Sequence, residues 1–267
     1  MKVLTCVARP CPSGEAIVRR LAKEGYAVTV NDIAANKAGV DKLVAELNEA
    51  HGPGTSTGVI ADVTSSAQVK AMIDESCDRL GPLTVMVANA GIAPVGSALE
   101  VSDDFAANIM NVNFMGVWHC YTHAARRMIA QGPVPEGSTG YKLLGAASIA
   151  AYRPAALLAP YCASKAAVKS LSQVFAVELA KHKISVNCYS PGVVGTEMWR
   201  EIDEGTARIE GAKLGETTEK MGTKATAMAR VSVPDDVAKV VGGFLCGPDA
   251  DFVTGQNIVV DGGIVFP

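Results

Sequence analysis

The sequence predicts an α/β fold: one doubly wound, mostly parallel sheet, covered by helices in a three-layer α/β/α stack, as a single domain over residues 1–267. Three observations carry this. Short apolar runs alternate with helix-length amphipathic segments from end to end. The short runs are apolar on both faces, as strands covered on two sides require. No internal repeat and no composition break marks a second domain.

Residues 2–7 are the first buried strand. Residues 15–23 have helical periodicity and stop at Gly25, a residue suited to a helix cap. A second strand, 27–31, is closed by Asp32, and 37–50 form a helix. Residues 58–61 are a strand ending at Asp62, and 65–80 a helix with Ser65 as N-cap. The strand 83–88 runs into Asn89-Ala90-Gly91. One or two helices fill 103–130, a Pro- and Gly-rich loop covers 132–140, and 141–147 are a strand. A long helix opens near Tyr161 and runs to about residue 180. After the strand 184–189, residues 196–231 are charged and weakly periodic. A helix over 234–246, with Pro234 in its first turn, precedes a last strand, 257–260.

Hydrophobic residues make up 49% of the 267 and charged residues 19%, which suits a packed core and argues against disorder. A net charge of −3 gives no footprint for nucleic acid or an anionic membrane. The seven cysteines are scattered, without C-x-x-C or finger spacing, so reduced thiols and no metal are expected. The apolar start is too short for a signal peptide, and no apolar run reaches spanning length. A cytoplasmic protein follows, without membrane or nucleic-acid partners.

In such sheets ligands bind beyond the carboxyl ends of the strands, so the loops after residues 7, 31, 61, 88, 147 and 189 share a cleft. Tyr161 and Lys165 are four apart on a helix and share a face. A phenol titrates near ~10, and a neighbouring ammonium lowers that value, making the pair a candidate acid/base. Taken alone, the pair reads first as an ordinary Tyr and a surface Lys, because such spacings are common. Ser148, thirteen residues earlier, supplies a hydroxyl for a substrate oxygen. Asn113 sits mid-helix, where its amide can hold a water or a backbone group. The small residues at Asn89-Ala90-Gly91 admit a flat ligand, and Pro191-Gly192-Val193-Val194-Gly195-Thr196 follows the sixth strand.

With Tyr161-x-x-x-Lys165, Ser148, Asn113, Asn89-Ala90-Gly91, Asp62-Val63 and Pro191-Gly192 in this order and spacing, the chain resembles the short-chain dehydrogenase/reductase family over essentially its full length. Segments 21–28, 196–203 and 261–266 resemble diacetyl/acetoin reductases and 2,3-butanediol dehydrogenases more closely. The resemblance implies a Rossmann-like sheet and hydride transfer between NAD(H) or NADP(H) and a small carbonyl or alcohol substrate. Tyr161 would exchange the proton with the substrate oxygen. Lys165 would lower the Tyr161 pKa and hold the nicotinamide ribose. Ser148 would orient the substrate, and Asn113 would place a water leading to Lys165. Asp62 and Val63 would meet the adenine, Asn89 and Gly91 would line the cofactor, and Pro191, Gly192, Val194 and Thr196 would reach its nicotinamide end. The resemblance also implies a substrate lid at about 196–231 and a homo-oligomer, tetramer or dimer.

The first loop departs from the pattern. The family's Thr-Gly-x-x-x-Gly-x-Gly maps onto Val7-Ala8-Arg9-Pro10-Cys11-Pro12-Ser13-Gly14, where only the last glycine survives. Pro10 and Pro12 lack N–H donors for a diphosphate. Gly14 still opens the helix, Ser13 offers an N–H and a hydroxyl, and Arg9 can pair with phosphate. Three readings compete: a dinucleotide bound with altered geometry, a non-redox acid/base enzyme (isomerase, lyase or cyclase), and a ligand-binding pseudoenzyme. The first is favoured, because the other cofactor-side residues are kept. Asp32, eighteen positions past Gly14, suits the adenine ribose and favours NAD(H) over NADP(H), although Arg9 would suit a 2′-phosphate and Asp32 also reads as a turn residue.

His119 and His123 have metal-ligand spacing, but no third ligand accompanies them. Cys11 reads as a loop residue and Arg126-Arg127 as a solvated face. Met198 and Trp199 read equally as packing and as substrate contacts.

Overall fold

The computed structural model describes residues 2–7, 12–134 and 140–267, with side chains from residue 12 onward. Seven strands form one sheet, ordered β3-β2-β1-β4-β5-β6-β7, and every adjacent pair is parallel. The strands are β1 (Lys2–Val7), β2 (Tyr26–Asp32), β3 (Ser56–Ile60), β4 (Leu83–Ala88), β5 (Tyr141–Ala146), β6 (Ile184–Pro191) and β7 (Asn257–Val260). Strands β2, β4 and β5 are buried at every position, including the polar Thr29, Asn31, Asp32, Thr84 and Lys142 that fall within them.

Eight α-helices connect the described strands: α1 (Pro12–Lys23), α2 (Lys37–His51), α3 (Ser66–Leu80), α4 (Asp103–Met110), α5 (Gly116–Gln131), α6 (Ala159–Leu179), α7 (Glu197–Glu210) and α8 (Pro234–Val240). Helices α1, α2 and α8 pack on one face through Ile17, Leu21, Leu43, Val237 and Val241. Helices α3, α5 and α6 pack on the other through Met72, Ile73, Cys120, Tyr121 and Val168. Strand order reverses between β1 and β4, so a crevice opens there at the carboxyl ends.

Several boundaries differ from the sequence expectation for local reasons. Helix α1 starts at Pro12 rather than residue 15, because a proline at the first helical position has no N–H to leave unpaired. Strand β6 continues through Pro191, which pairs with Val260. Ser65 caps α3 as expected, its hydroxyl accepting from the Gln68 N–H. Helices α4 and α5 are joined by a widened turn, Asn111–Met115, in which the Gly116 N–H reaches the Asn111 carbonyl. The charged 196–231 segment holds α7 and a second widened helix, Thr218–Lys224. Lys142, inside β5, is almost wholly buried, and its ammonium reaches the Gly247 carbonyl (2.6 Å) and Asp251 Oδ1 (2.7 Å). No helix among the described residues is long and apolar enough to cross a membrane.

Candidate active site

Helix α6 starts at Ala159 with Pro160 in its first turn, which places Tyr161 at the mouth of the crevice. One turn later the Lys165 Nζ lies 5.6 Å from the centre of the Tyr161 ring. Lys165 is 3% exposed and donates to the Ala146 carbonyl, at the end of β5, at 2.7 Å. Ser148, two residues beyond β5, caps the short turn Ile149–Ala151 by accepting from the Ala150 N–H at 3.1 Å. Its hydroxyl and the Tyr161 phenol line the same cavity. Burial raises the Tyr161 pKa, and the Ser148 hydroxyl opposes this without cancelling it. The shift is opposite to the lowering expected from Lys165: burial penalises the phenolate, and the phenol holds its proton at neutral pH.

Asn113 lies in the widened turn and is fully buried. Its Oδ1 accepts from the Ile92 N–H (2.8 Å), while Nδ2 donates to the Ile92 carbonyl (2.9 Å) and to Ser164 Oγ (3.1 Å). The amide clasps the loop after β4 to α6, so its hydrogens are taken by protein rather than offered to a water. A Cβ on Gly91 would sit 3.3 Å from both Asn113 Oδ1 and Lys165 Nζ. The absence of a side chain there lets the Lys165 ammonium reach the loop.

The cofactor-side residues divide into two groups. Ser13, Asn89, Gly91, Pro191, Gly192, Val194 and Thr196 line the same cavity as Ser148, Tyr161 and Lys165. The Tyr189 hydroxyl donates to Asn89 Oδ1 at 2.7 Å and fixes that amide. Gly192 is required by packing, since a Cβ there would lie 2.6 Å from Asp261 Cβ and 2.9 Å from its Cα. Thr196 caps α7, accepting from the Trp199 N–H. Asp32, Asp62, Val63 and Gly14 lie outside the cavity wall. Asp32 accepts from the Ile33 N–H and Asn36 Nδ2, each at 2.7 Å, which is the turn role the sequence also allowed. Asp62 Oδ1 accepts from the Thr64 N–H and hydroxyl. The Val63 side chain packs into the core, 2.8 Å from where a Gly116 Cβ would be, so only its backbone is available to a ligand. Arg9, with the rest of the substituted loop over 8–11, lies outside the described residues.

The cavity has a volume of about 240 Å³. Its far wall is apolar, with Leu158, Val193, Met198, Trp199, Ile202 and Met221. Met198 and Trp199 are therefore cavity residues. Trp199 Nε1 donates to Thr218 Oγ1 (2.8 Å), and buried Asp203 accepts from the Gly215 N–H (2.6 Å), the Thr218 N–H (2.8 Å) and the Thr218 hydroxyl (3.0 Å). These bonds fasten α7 to the Thr218–Lys224 helix above the cavity. Leu157, with φ of 64°, shapes the loop before α6, and its carbonyl accepts from the Gly96 N–H. Sequence reasoning missed Arg153, Tyr189, Lys220, Met221 and Ile264 as cavity residues. None carries a motif, and only the fold brings the tail residue Ile264 back to the site.

A family model described as enoyl-(acyl carrier protein) reductase matches residues 13–265. A short-chain dehydrogenase/reductase of Armillaria gallica is 37% identical over 253 residues, covering 95% of this chain and 92% of that protein. The chain is a short-chain dehydrogenase/reductase. L-2,3-butanediol dehydrogenase of Corynebacterium glutamicum is 35% identical over 253 residues, covering 95% of this chain and 94% of its own. The crystal structure of a single-residue variant of actinorhodin polyketide ketoreductase with NADPH superposes with a TM-score of 0.89 at 28% identity, covering 98% of this chain and 97% of that one.

Within this short-chain dehydrogenase/reductase, His119 and His123 each have a partner of their own. His119 Nδ1 meets the Val63 carbonyl (2.9 Å), and His123 Nε2 meets Ser66 Oγ (2.8 Å), so both fix α5 to the β3–α3 loop. The five cysteines whose side chains are described are all buried; burial pushes Cys120 and Cys246 up to about 12 and Cys188 to about 11. They are packing groups, not nucleophiles.

Proposed function

We propose that the chain interconverts a ketone and a secondary alcohol with an NAD(P)(H) cofactor, Tyr161 exchanging the proton with the substrate oxygen. The observation that carries this is Tyr161, Ser148 and Lys165 on one cavity wall, facing Asn89, Gly91 and the Pro191–Thr196 segment. The side-chain-free wall at Gly91 and Gly192 and the N-terminal end of α1 at Ser13 fit a flat ring joined to a phosphate. When bound, the nicotinamide supplies or accepts the hydride. Ser148 holds the substrate oxygen against the phenol, and the protonated phenol gives that oxygen its proton. Lys165 fixes a positive charge behind the phenol and reaches toward the cofactor at Gly91. Met198, Trp199 and Ile202 exclude water from the reacting carbon. Following nicotinamide absorbance with diacetyl, acetoin and longer ketones tests this reading; no consumption with any of them and either nucleotide would refute it.

NAD(H) is the preferred cofactor in this reading. Asp32 ends β2 at 5% exposure with its carboxylate fixed, where it would repel a 2′-phosphate. Replacing Asp32 by Ser is expected to shift the NADH:NADPH ratio of kcat/KM toward NADPH by about tenfold. An unchanged ratio would remove Asp32 from the cofactor site, leaving it the turn role alone.

Residues 196–231 act as the lid of one catalytic domain, held by the Asp203 and Trp199 bonds to Thr218. Nucleotide binding is expected to protect this segment from proteolysis; unchanged cleavage would contradict the lid. The chain also pairs with further copies of itself as a dimer or tetramer. Trp118 on α5 (40% exposed) packs edge-on against Phe175, next to Val174 (50%) and Val177 (81%) on α6, which leaves an apolar face. Sedimentation should give a mass of two or four chains, and a monomer would refute this.

A further inference from the structure

The charge around the cavity is one-sided. Its lining contains three cations, Arg153, Lys165 and Lys220, and no Asp or Glu among the described residues. The whole chain has more acidic than basic residues, with a net charge of −3, so this wall does not follow the average surface. Lys165 belongs to the acid/base site. The other two have no assigned work, and among the described residues neither makes an ion pair.

Both are placed by fixed backbone. Arg153 ends the turn that Ser148 begins: the Tyr152 and Arg153 N–H groups both reach the Ile149 carbonyl at 2.9 Å, and Pro154 follows. Its position is therefore tied to that of the substrate-orienting hydroxyl, five residues away. Lys220 comes from a separate segment, the Thr218–Lys224 helix, whose first turn is held by buried Asp203. The neighbouring acid, Glu219, is engaged with Lys224 at 2.7 Å, which leaves Lys220 facing the cavity without a competing carboxylate among the described residues. Between these cations and Tyr161 the wall is apolar, with Leu158, Met198 and Ile202.

An apolar pocket with a reacting phenol inside and two such cations at its rim matches a ligand with an apolar body and an anionic end. We propose that the substrate is an oxo acid, or the corresponding hydroxy acid, whose carboxylate is held by Arg153 and Lys220 while its ketone meets Ser148 and Tyr161. This rests on the oxidoreductase reading above and narrows its substrate. A guanidinium binds a carboxylate through two parallel N–H bonds, and an ammonium on the lid adds a point charge when the lid covers the substrate. The two together make lid closure depend on the anion. Hydride adds to the ketone carbon and the Tyr161 proton to its oxygen, so the carboxylate passes through the reaction unchanged.

The test compares levulinate with methyl levulinate, and a medium-chain oxo acid with its methyl ester, on the wild type, Arg153→Gln, Lys220→Gln and the double variant. Both side chains are exposed, and a charge reversal, Arg153→Glu, provides a second probe of sign. The wild type is expected to prefer the acids. Each single variant should lower kcat/KM for an acid by about tenfold through KM, with the esters unchanged within about twofold, and Arg153→Glu should favour the ester. Equal use of acid and ester by the wild type, or a preference that survives the double variant, overturns the proposal. So does an equal weakening of NADH or NADPH binding in the variants, which would assign these cations to cofactor phosphate. If esters and acids are both inert with either nucleotide while diacetyl is also inert, the oxidoreductase reading has failed; turnover of diacetyl and esters without acids defeats the oxo-acid proposal alone.

Discussion

Replacing Tyr161 by Phe should lower kcat by roughly 10²–10⁴-fold while nucleotide binding stays within about threefold of the wild type, because the ring remains and only the hydroxyl is lost. Steady-state turnover beside a binding titration separates the two quantities. Retention of substantial turnover would show that another group moves the proton. The wild type's pH dependence belongs to the same prediction. Burial holds the Tyr161 pKa above the ordinary phenol value, against a partly opposing effect of the Ser148 hydroxyl. A phenol is protonated below its pKa, and ketone reduction uses the protonated form. Reduction kcat/KM should therefore stay flat from neutral pH upward and fall only above about pH 10, whereas alcohol oxidation, which needs the phenolate, should rise with pH across that range. A reduction profile falling already near neutrality would mean that a lowered phenol, or a different acid, is at work.

Lys165 carries the second large effect. Its ammonium is buried, donates to the Ala146 carbonyl at 2.7 Å and sits against Gly91. Lys165→Met keeps the length of the stem and removes the charge and the donors. The orphaned Ala146 carbonyl should cost about 1–3 kcal/mol of stability, read as a lower melting temperature. Turnover should fall by about 100-fold or more, because the charge beside the phenol and the reach toward the cofactor are lost together. Nucleotide affinity should fall as well, which distinguishes Lys165 from Tyr161. A Met variant with unchanged nucleotide affinity would confine Lys165 to a structural bond with β5.

The sheet was legible because strands buried on two faces are mostly apolar, as in β4, where Thr84 is the one polar residue. The proximity of Tyr161 and Lys165 was legible because an i, i+4 pair on a helix needs no tertiary knowledge to share a face. What the sequence hid were features decided by long-range packing. Lys142 is a lysine in a core strand, and only the fold supplies the Gly247 carbonyl and Asp251 that receive it. Asn113 was open between a water and a backbone group, and only the fold shows its amide taken by the Ile92 backbone and Ser164 from two other elements. The Tyr161 pKa was misjudged in direction, since spacing reveals a neighbouring charge but not how much water the ring loses. Residues 196–231 looked irregular because the turn after α7 is held to it by one buried acid, Asp203, a long-range set of bonds that periodicity does not reveal. Arg153 and Lys220 carry no motif, and only the fold brings them to the lining of one cavity.

The central claim is that this cavity takes a nicotinamide dinucleotide despite Pro10 and Pro12 in the loop where the family has glycines. A fluorescence titration of NADH and NADPH with the purified protein tests it most directly, since it needs no substrate. Saturable binding with enhanced, blue-shifted nicotinamide emission, tighter for NADH than for NADPH, is the predicted result. No binding of either nucleotide at millimolar concentration would contradict the account.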